Sequence, residues 1–160
     1  MTFAEKIFGA YAGAIVFARP DIILTHDNTS SIYKTFQKMG GVKVADPSQM
    51  LVVLDHNAPP PDSKLANQYQ EIRDIVSSQG ITRFHDAGRG ICHQIMSYYA
   101  RPGMLIVGSD SHTSTAGAFN AFAAGIDRTE SAGIWKRGET GFRVPESIRI
   151  NLKGSLMENV

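Results

Sequence analysis

The sequence predicts an α/β fold, a three-layer α/β/α arrangement built around a largely parallel sheet. Three observations carry that expectation. Short apolar runs alternate with helical stretches along the chain. Two of the runs, Leu51–Leu54 and Met104–Gly108, contain no polar residue, as strands buried on both faces require. Clusters of His and Asp then follow the ends of the runs and do not interrupt them.

Taken in order, Thr2 to Tyr11 predicts a short helix, with Thr2 and Glu5 spaced as a capping box. Asp21 to Leu24 is strand-like and leads into the polar turn at His26-Asp27-Asn28-Thr29. A helix from about Ser30 to Met39 stops at Gly40-Gly41. Leu51–Leu54 ends in Asp55-His56, and Pro59-Pro60-Pro61-Asp62 breaks the chain before a helix from Ser63 to Ser78. Leu65, Tyr69, Ile72 and Val76 fall on one face of that helix. Ile81 to His85 is a further strand candidate, followed by Gly88-Arg89-Gly90 and a short helix carrying Ile91, His93, Ile95 and Met96. Pro102-Gly103 turns into the Met104–Gly108 strand. The small apolar stretch Ala116–Ala124 predicts a close-packed helix, Asp127–Trp135 another helix, and Ile148–Leu152 a final strand. Trp135, Phe142 and the single cysteine, Cys92, read as core.

Composition narrows the classes. With 160 residues, 42% hydrophobic and 19% charged, the chain suits one globular domain with a real core. A formal charge of +1 gives no support for a nucleic-acid or membrane-surface partner. No apolar run approaches the roughly 20 residues of a membrane span, and the first residues lack a signal-peptide pattern. One cysteine excludes an internal disulfide, so a cytoplasmic location is the expectation.

The chemistry lies at the strand ends. His26-Asp27, Asp55-His56 and Asp110-Ser111-His112 each follow a predicted strand, and His93 starts a helix after a Gly-rich turn. Ligands of open α/β sheets bind beyond the carboxyl ends of the strands, where such loops converge. A neighbouring carboxylate orients an imidazole and raises its proton affinity, as a general acid near neutral pH needs. Any one Asp-His pair, alone, is more simply a turn residue beside a solvated histidine. Repetition at several strand ends favours a site without naming a reaction. Arg89, between two glycines, is a candidate for holding a substrate carboxylate, and a purely structural turn is the equal alternative.

The ordered motifs Gly90-Ile91-Cys92-His93-Gln94, Pro102–Gly108 and Asp110-Ser111-His112-Thr113 resemble the signature of the aconitase superfamily. Thr25–Thr29 and Asp55-His56 upstream, and Val144-Pro145-Glu146-Ser147-Ile148-Arg149 downstream, are similar to the same family, nearest its 3-isopropylmalate dehydratase and homoaconitase large subunits. The resemblance implies reversible dehydration of a hydroxy-polycarboxylic acid, assisted by a 4Fe-4S cluster acting as a Lewis acid. It implies catalytic roles for Asp55, His56, His93, Asp110 and His112, and substrate contacts for His26 and Ser111. Asp55-His56 match the pair that protonates the departing hydroxyl, and His93 is expected to pair with Asp110.

The same resemblance implies what residues 1–160 lack. The three cluster cysteines, a supporting Glu, substrate-binding arginines and the base-bearing swivelling domain have no counterpart here. Residues 1–160 therefore read as the N-terminal part of a large-subunit domain that breaks off at Met157–Val160. It would bind no cluster alone, be inactive alone, and need the rest of the large subunit and a small swivelling-domain subunit as partners. Two other classes stay open: a mononuclear metal hydrolase using Asp55, His56, His93, Asp110 and His112, and a catalytically silent carboxylate-binding module.

Overall fold

The structure, a computed structural model, describes residues 1–155; the expected break at Met157–Val160 lies outside the described residues, with residue 156. Five strands form one sheet in the order β4-β3-β2-β5-β6: β2 (Ile22–Thr25), β3 (Met50–Val53), β4 (Phe84–His85), β5 (Leu105–Gly108) and β6 (Phe122–Gly125). Every pairing in it is parallel. The chain builds outward from β2 through β3 to β4, then returns to place β5 on the other side of β2. That reversal opens a crevice between the carboxyl ends of β2 and β5, the ligand position of doubly wound sheets.

The layers follow from strand alternation. Ile23, Met50, Val52 and Val107 face one side, against Ile32 and Phe36 of α2 (Thr29–Lys38), Tyr69 and Ile72 of α3 (Ser63–Gln79), and Ile134 and Trp135 of α5 (Arg128–Arg137). Ile22, Leu24, Leu51, Val53 and Ile106 face the other, against Cys92, Ile95 and Met96 of α4 (Cys92–Tyr99). The expected α/β/α sandwich is present. Its helices start where short polar side chains cap them: Asp62 Oδ1 accepts Leu65 N–H at 2.8 Å and Asp127 Oδ1 accepts Glu130 N–H at 2.7 Å. The capping box of Thr2 and Glu5 closes on α1 (Phe3–Phe8). Among the described residues no helix is long and apolar enough to cross a membrane.

Two expectations are corrected. Ala116–Ala124 is not one helix: a 3₁₀ segment, Ser111–Phe119, ends at Asn120 in the left-handed conformation (φ 58°), and the chain then enters β6. Small residues let the 3₁₀ turns and the strand pack closely, and their lack of β-branching hides the strand. Ile148–Leu152 forms no strand among the described residues, with Ile148 90% and Leu152 93% exposed. An antiparallel pair that local pattern does not reveal joins β1 (Ile15–Ala18) to β7 (Thr140–Arg143).

Candidate active site

All three polar clusters and His93 converge at the carboxyl end of the sheet. Asp55 and His56 leave β3, His26 and Asp27 leave β2, and Asp110 follows β5 as the cap of the 3₁₀ segment, its Oδ1 accepting His112 N–H at 2.7 Å. Asp110 is the hub. Its Oδ1 lies 2.9 Å from His93 Nε2 and 3.6 Å from His112 Nδ1, and its Oδ2 lies 3.5 Å from His56 Nε2. Asp110 is nearly buried, yet the His112 N–H and the charges of His93, His26 and His112 outweigh burial and hold its carboxyl below the usual range.

Asp55 is fixed before it can orient anything else. Its Oδ2 accepts the Cys92 N–H at 2.6 Å, and His56 Nδ1–H donates to its Oδ1 at 2.7 Å. That bond turns His56 Nε2 toward Asp110. Partial burial disfavours charge on His56, but the Asp55 hydrogen bond and the nearby carboxylates prevail and raise its titration above the ordinary imidazole value. His56 is left about one-third exposed, enough to meet a ligand.

Asp27 underlies this arrangement. It is buried and its carboxylate accepts three hydrogen bonds: from Asp55 N–H at 3.2 Å, Asn57 Nδ2 at 2.9 Å and the Tyr69 hydroxyl at 2.7 Å. Tyr69, fully buried on α3, is pushed well above its usual range by burial and by donating to Asp27. Asn28 ties the ends of β2 and β5 together, its Nδ2 donating to Ser109 O at 3.1 Å and lying 2.9 Å from His26 Nε2. His26 stacks on His56 at 3.9 Å between ring centroids. Burial, then the charge of His56, lowers its pKa.

The structure thus gathers His26, Asp55, His56, His93, Asp110 and His112, with Ser111 on the rim, its hydroxyl 3.3 Å from His112 Nδ1. It does not gather Arg89. That side chain sits exposed on the turn after β4, near enough to His85 to help burial lower that pKa, and lines neither cavity beside the histidines. The guanidinium that does line one is Arg128, the first residue of α5. Asn28, Asn57, Tyr69 and Arg128 were not legible as site residues, because single polar residues on separate elements carry no local spacing signal.

Two groups could present ligands to a metal ion, His26-Asp27-His56 and His93-Asp110-His112. An iron–sulfur cluster is a different matter. The chain has one thiol, Cys92, buried, and burial and the Asp55 carboxylate push its pKa far up. Thiolate is the form that ligates iron, so these residues do not fit a cluster.

A doubly wound α/β unit with coupled Asp-His pairs at its switch point defines the class. The comparisons with known proteins then place the chain: the Aconitase family (aconitate hydratase) matches residues 4–160, and the chain belongs to that family. It is 41% identical to the 3-isopropylmalate dehydratase large subunit 1 of Methanopyrus kandleri, over 99% of this chain and 40% of that protein. It is 40% identical to the methanogen homoaconitase large subunit of Methanocaldococcus jannaschii, over 100% and 40% respectively. The 3-isopropylmalate dehydratase large subunit of Geobacter sulfurreducens is 42% identical, over 99% and 39%. The chain spans about two fifths of the length of these relatives.

Proposed function

We propose that this chain supplies the acid half of a hydro-lyase site, one that dehydrates and rehydrates a hydroxy-polycarboxylic acid such as 3-isopropylmalate or homoaconitate. The observation that carries this reading is the convergence of His56, His93 and His112 on Asp110, all within 3.6 Å of its carboxylate. His56, protonated and held by Asp55, hands its Nε2 proton to the departing hydroxyl. The carbon–oxygen bond breaks, and the oxygen leaves as water. Asp55 then steadies the neutral imidazole in the tautomer that can take the proton back in the reverse hydration. His93, paired with Asp110, is the second proton-bearing group, and His112, Ser111 and His26 contact the acid. The base that removes the carbon-bound proton lies outside these residues, in a small swivelling-domain subunit.

The 4Fe-4S cluster of such an enzyme would come from cysteines outside residues 1–160, and a cytoplasmic setting suits its thiols. The test is to purify the protein with its partner chains, reconstitute iron and sulfide, and follow alkene formation from hydroxy-polycarboxylic acids by ultraviolet absorbance. Turnover that disappears in His56→Ala while iron content holds is the expected result. Iron content should also be unchanged in Cys92→Ala. One equivalent of zinc held by the native protein, with hydrolysis and no alkene, would replace this reading with the metal-hydrolase one that the two ligand groups permit.

A further inference from the structure

The hub residue, Asp110, is held by its backbone as well as by its side chain. Its carbonyl oxygen accepts the Thr113 N–H at 3.2 Å and the Thr113 hydroxyl at 2.6 Å. A threonine that bonds back to the carbonyl three residues earlier is ordinary in helical turns. Here that carbonyl belongs to the residue on which three histidines converge. Thr113 is buried, so water does not compete for its hydroxyl.

Two glycines complete the grip. The Thr113 side chain rests on Gly108, the last residue of β5. A Cβ at Gly108 would collide with the Thr113 hydroxyl and stand 3.0 Å from its methyl carbon and 3.1 Å from Leu24 Cβ. Gly125 of β6 lies against the same carbonyl, where a Cβ would stand 2.9 Å from the Asp110 oxygen. Gly108 and Gly125 are partners in the parallel ladder, so one rung of the sheet supplies both close approaches. With both acceptor sites of the carbonyl filled and a strand against it, the Asp110 turn has little freedom to shift. The carboxylate on the same residue inherits that position.

We propose that Thr113 is a positioning residue of the acid site. Its hydroxyl, seated on the Gly108–Gly125 rung, fixes the Asp110 carbonyl and through it the carboxylate that His56, His93 and His112 share. The assignment rests on the hydro-lyase reading and deepens it: the spacing of the proton-bearing groups is set from beneath, by a buried residue that touches no substrate. Thr113 moves no proton and acts through Asp110.

Thr113→Val keeps the shape and removes the donor. A methyl group cannot take the hydroxyl's place at 2.6 Å, since carbon–oxygen contacts settle at about 3.3–3.6 Å, so the Asp110 turn must move. In the protein purified with its partner chains, kcat for alkene formation should fall about tenfold to a hundredfold, the scale of a displaced catalytic group, with KM unchanged. Thr113→Ser is the rescue. It keeps the hydroxyl and loses the methyl seated on Gly108, so it should melt below the native protein and still turn over near the native rate. A role in stability alone would move melting and rate together in both variants. Histidine-resolved NMR of the natively purified protein reads the position directly: the His93 Nε2 proton, donated to Asp110, should shift in Thr113→Val and keep its native frequency in Thr113→Ser. Native kcat in Thr113→Val overturns the proposal and leaves the hydro-lyase reading standing. A loss in Thr113→Ser as deep as in Thr113→Val overturns it too. If Thr113→Val does not fold, Thr113→Ser still decides, because a shifted His93 proton there sinks the clamp and a native one with native kcat supports it. A His93 proton that moves in Thr113→Val alone, in a protein that forms no alkene, would keep the positioning role and remove the hydro-lyase reading.

Discussion

The imidazoles of His26 and His56 lie face to face, 18° from parallel with ring centroids 3.9 Å apart. Two rings so close resist carrying charge together, and their surroundings decide which one does. Burial and the His56 charge lower the pKa of His26, while the Asp55 bond and nearby carboxylates overcome burial and raise that of His56. On acidification, His56 should take its proton above the ordinary value of 6.5 and His26 below it. Histidine-resolved NMR titration checks the order, and the reverse order would remove His56 as the acid. The linkage has opposite signs at the two residues. His56 stabilises the fold fully below 6.5 and loses that contribution as pH rises through its raised value. His26 penalises the fold as pH falls from 6.5 toward its lowered value, and His85 acts in the same direction. The denaturation midpoint in urea should therefore decline on both sides of 6.5, the alkaline decline shrinking in His56→Gln and the acid decline in His26→Gln.

Asp110 holds His93 at 2.9 Å and faces His56 at 3.5 Å, while its Oδ1 also caps the 3₁₀ segment. Asn keeps the shape and the capping oxygen but removes the charge. Asp110→Asn should therefore cost turnover far more than stability: a fall of roughly two to four orders of magnitude in kcat, against at most about 2 kcal/mol in unfolding free energy. A variant that simply fails to fold would show that the carboxylate is structural.

The parts of the fold legible in the sequence are those written in local pattern. Leu51–Leu54 and Met104–Gly108 read as buried strands because parallel strands covered on both faces admit no polar residue. β6 was missed because Phe122-Ala123-Ala124-Gly125 has neither alternation nor β-branching, and its strand character comes from pairing with β5. The β1–β7 pair joins Phe17 to Gly141 across more than a hundred residues, so no window of sequence contains it. Ile148–Leu152 erred the other way, since alternation marks what a strand would look like and cannot supply a partner. At the site, each Asp-His pair was visible as a dipeptide. The pillar beneath them was not, because Tyr69 looks like an ordinary member of an apolar helix face and only the fold brings its hydroxyl to Asp27.

Tyr69→Phe tests that pillar. The ring stays buried and only the 2.7 Å bond to Asp27 Oδ2 is lost. A buried carboxylate left one donor short costs about 1–3 kcal/mol, read as a lower urea midpoint with an unchanged slope. Asp27 also accepts the Asp55 N–H, so the His56–Asp55 bond should loosen and the His56 pKa should fall toward 6.5. An unchanged His56 titration would mean that Asp55 is held by the Cys92 N–H alone.

Gly125 reaches the site without any polar group of its own. A Cβ there would stand 2.9 Å from the Asp110 carbonyl oxygen and 3.4 Å from Ser111 Cα, both backbone atoms with little room to yield. Gly125→Ala should therefore push the Asp110 turn away from β6, costing about 1–3 kcal/mol as overpacking does. Because a shift of about 1 Å in a positioned group can cost on the order of a hundredfold in rate, kcat should drop with iron content and oligomeric state unchanged. Gly117 provides the control: a Cβ there meets nothing within 4 Å, so Gly117→Ala should leave both stability and rate near native values. If the two substitutions behave alike, the close contact between β6 and the Asp110 turn does not set the geometry at the mouth of the sheet. The spacing of His56, His93 and His112 around Asp110 would then have to be fixed from the α4 side, through the Cys92 N–H and Asp55.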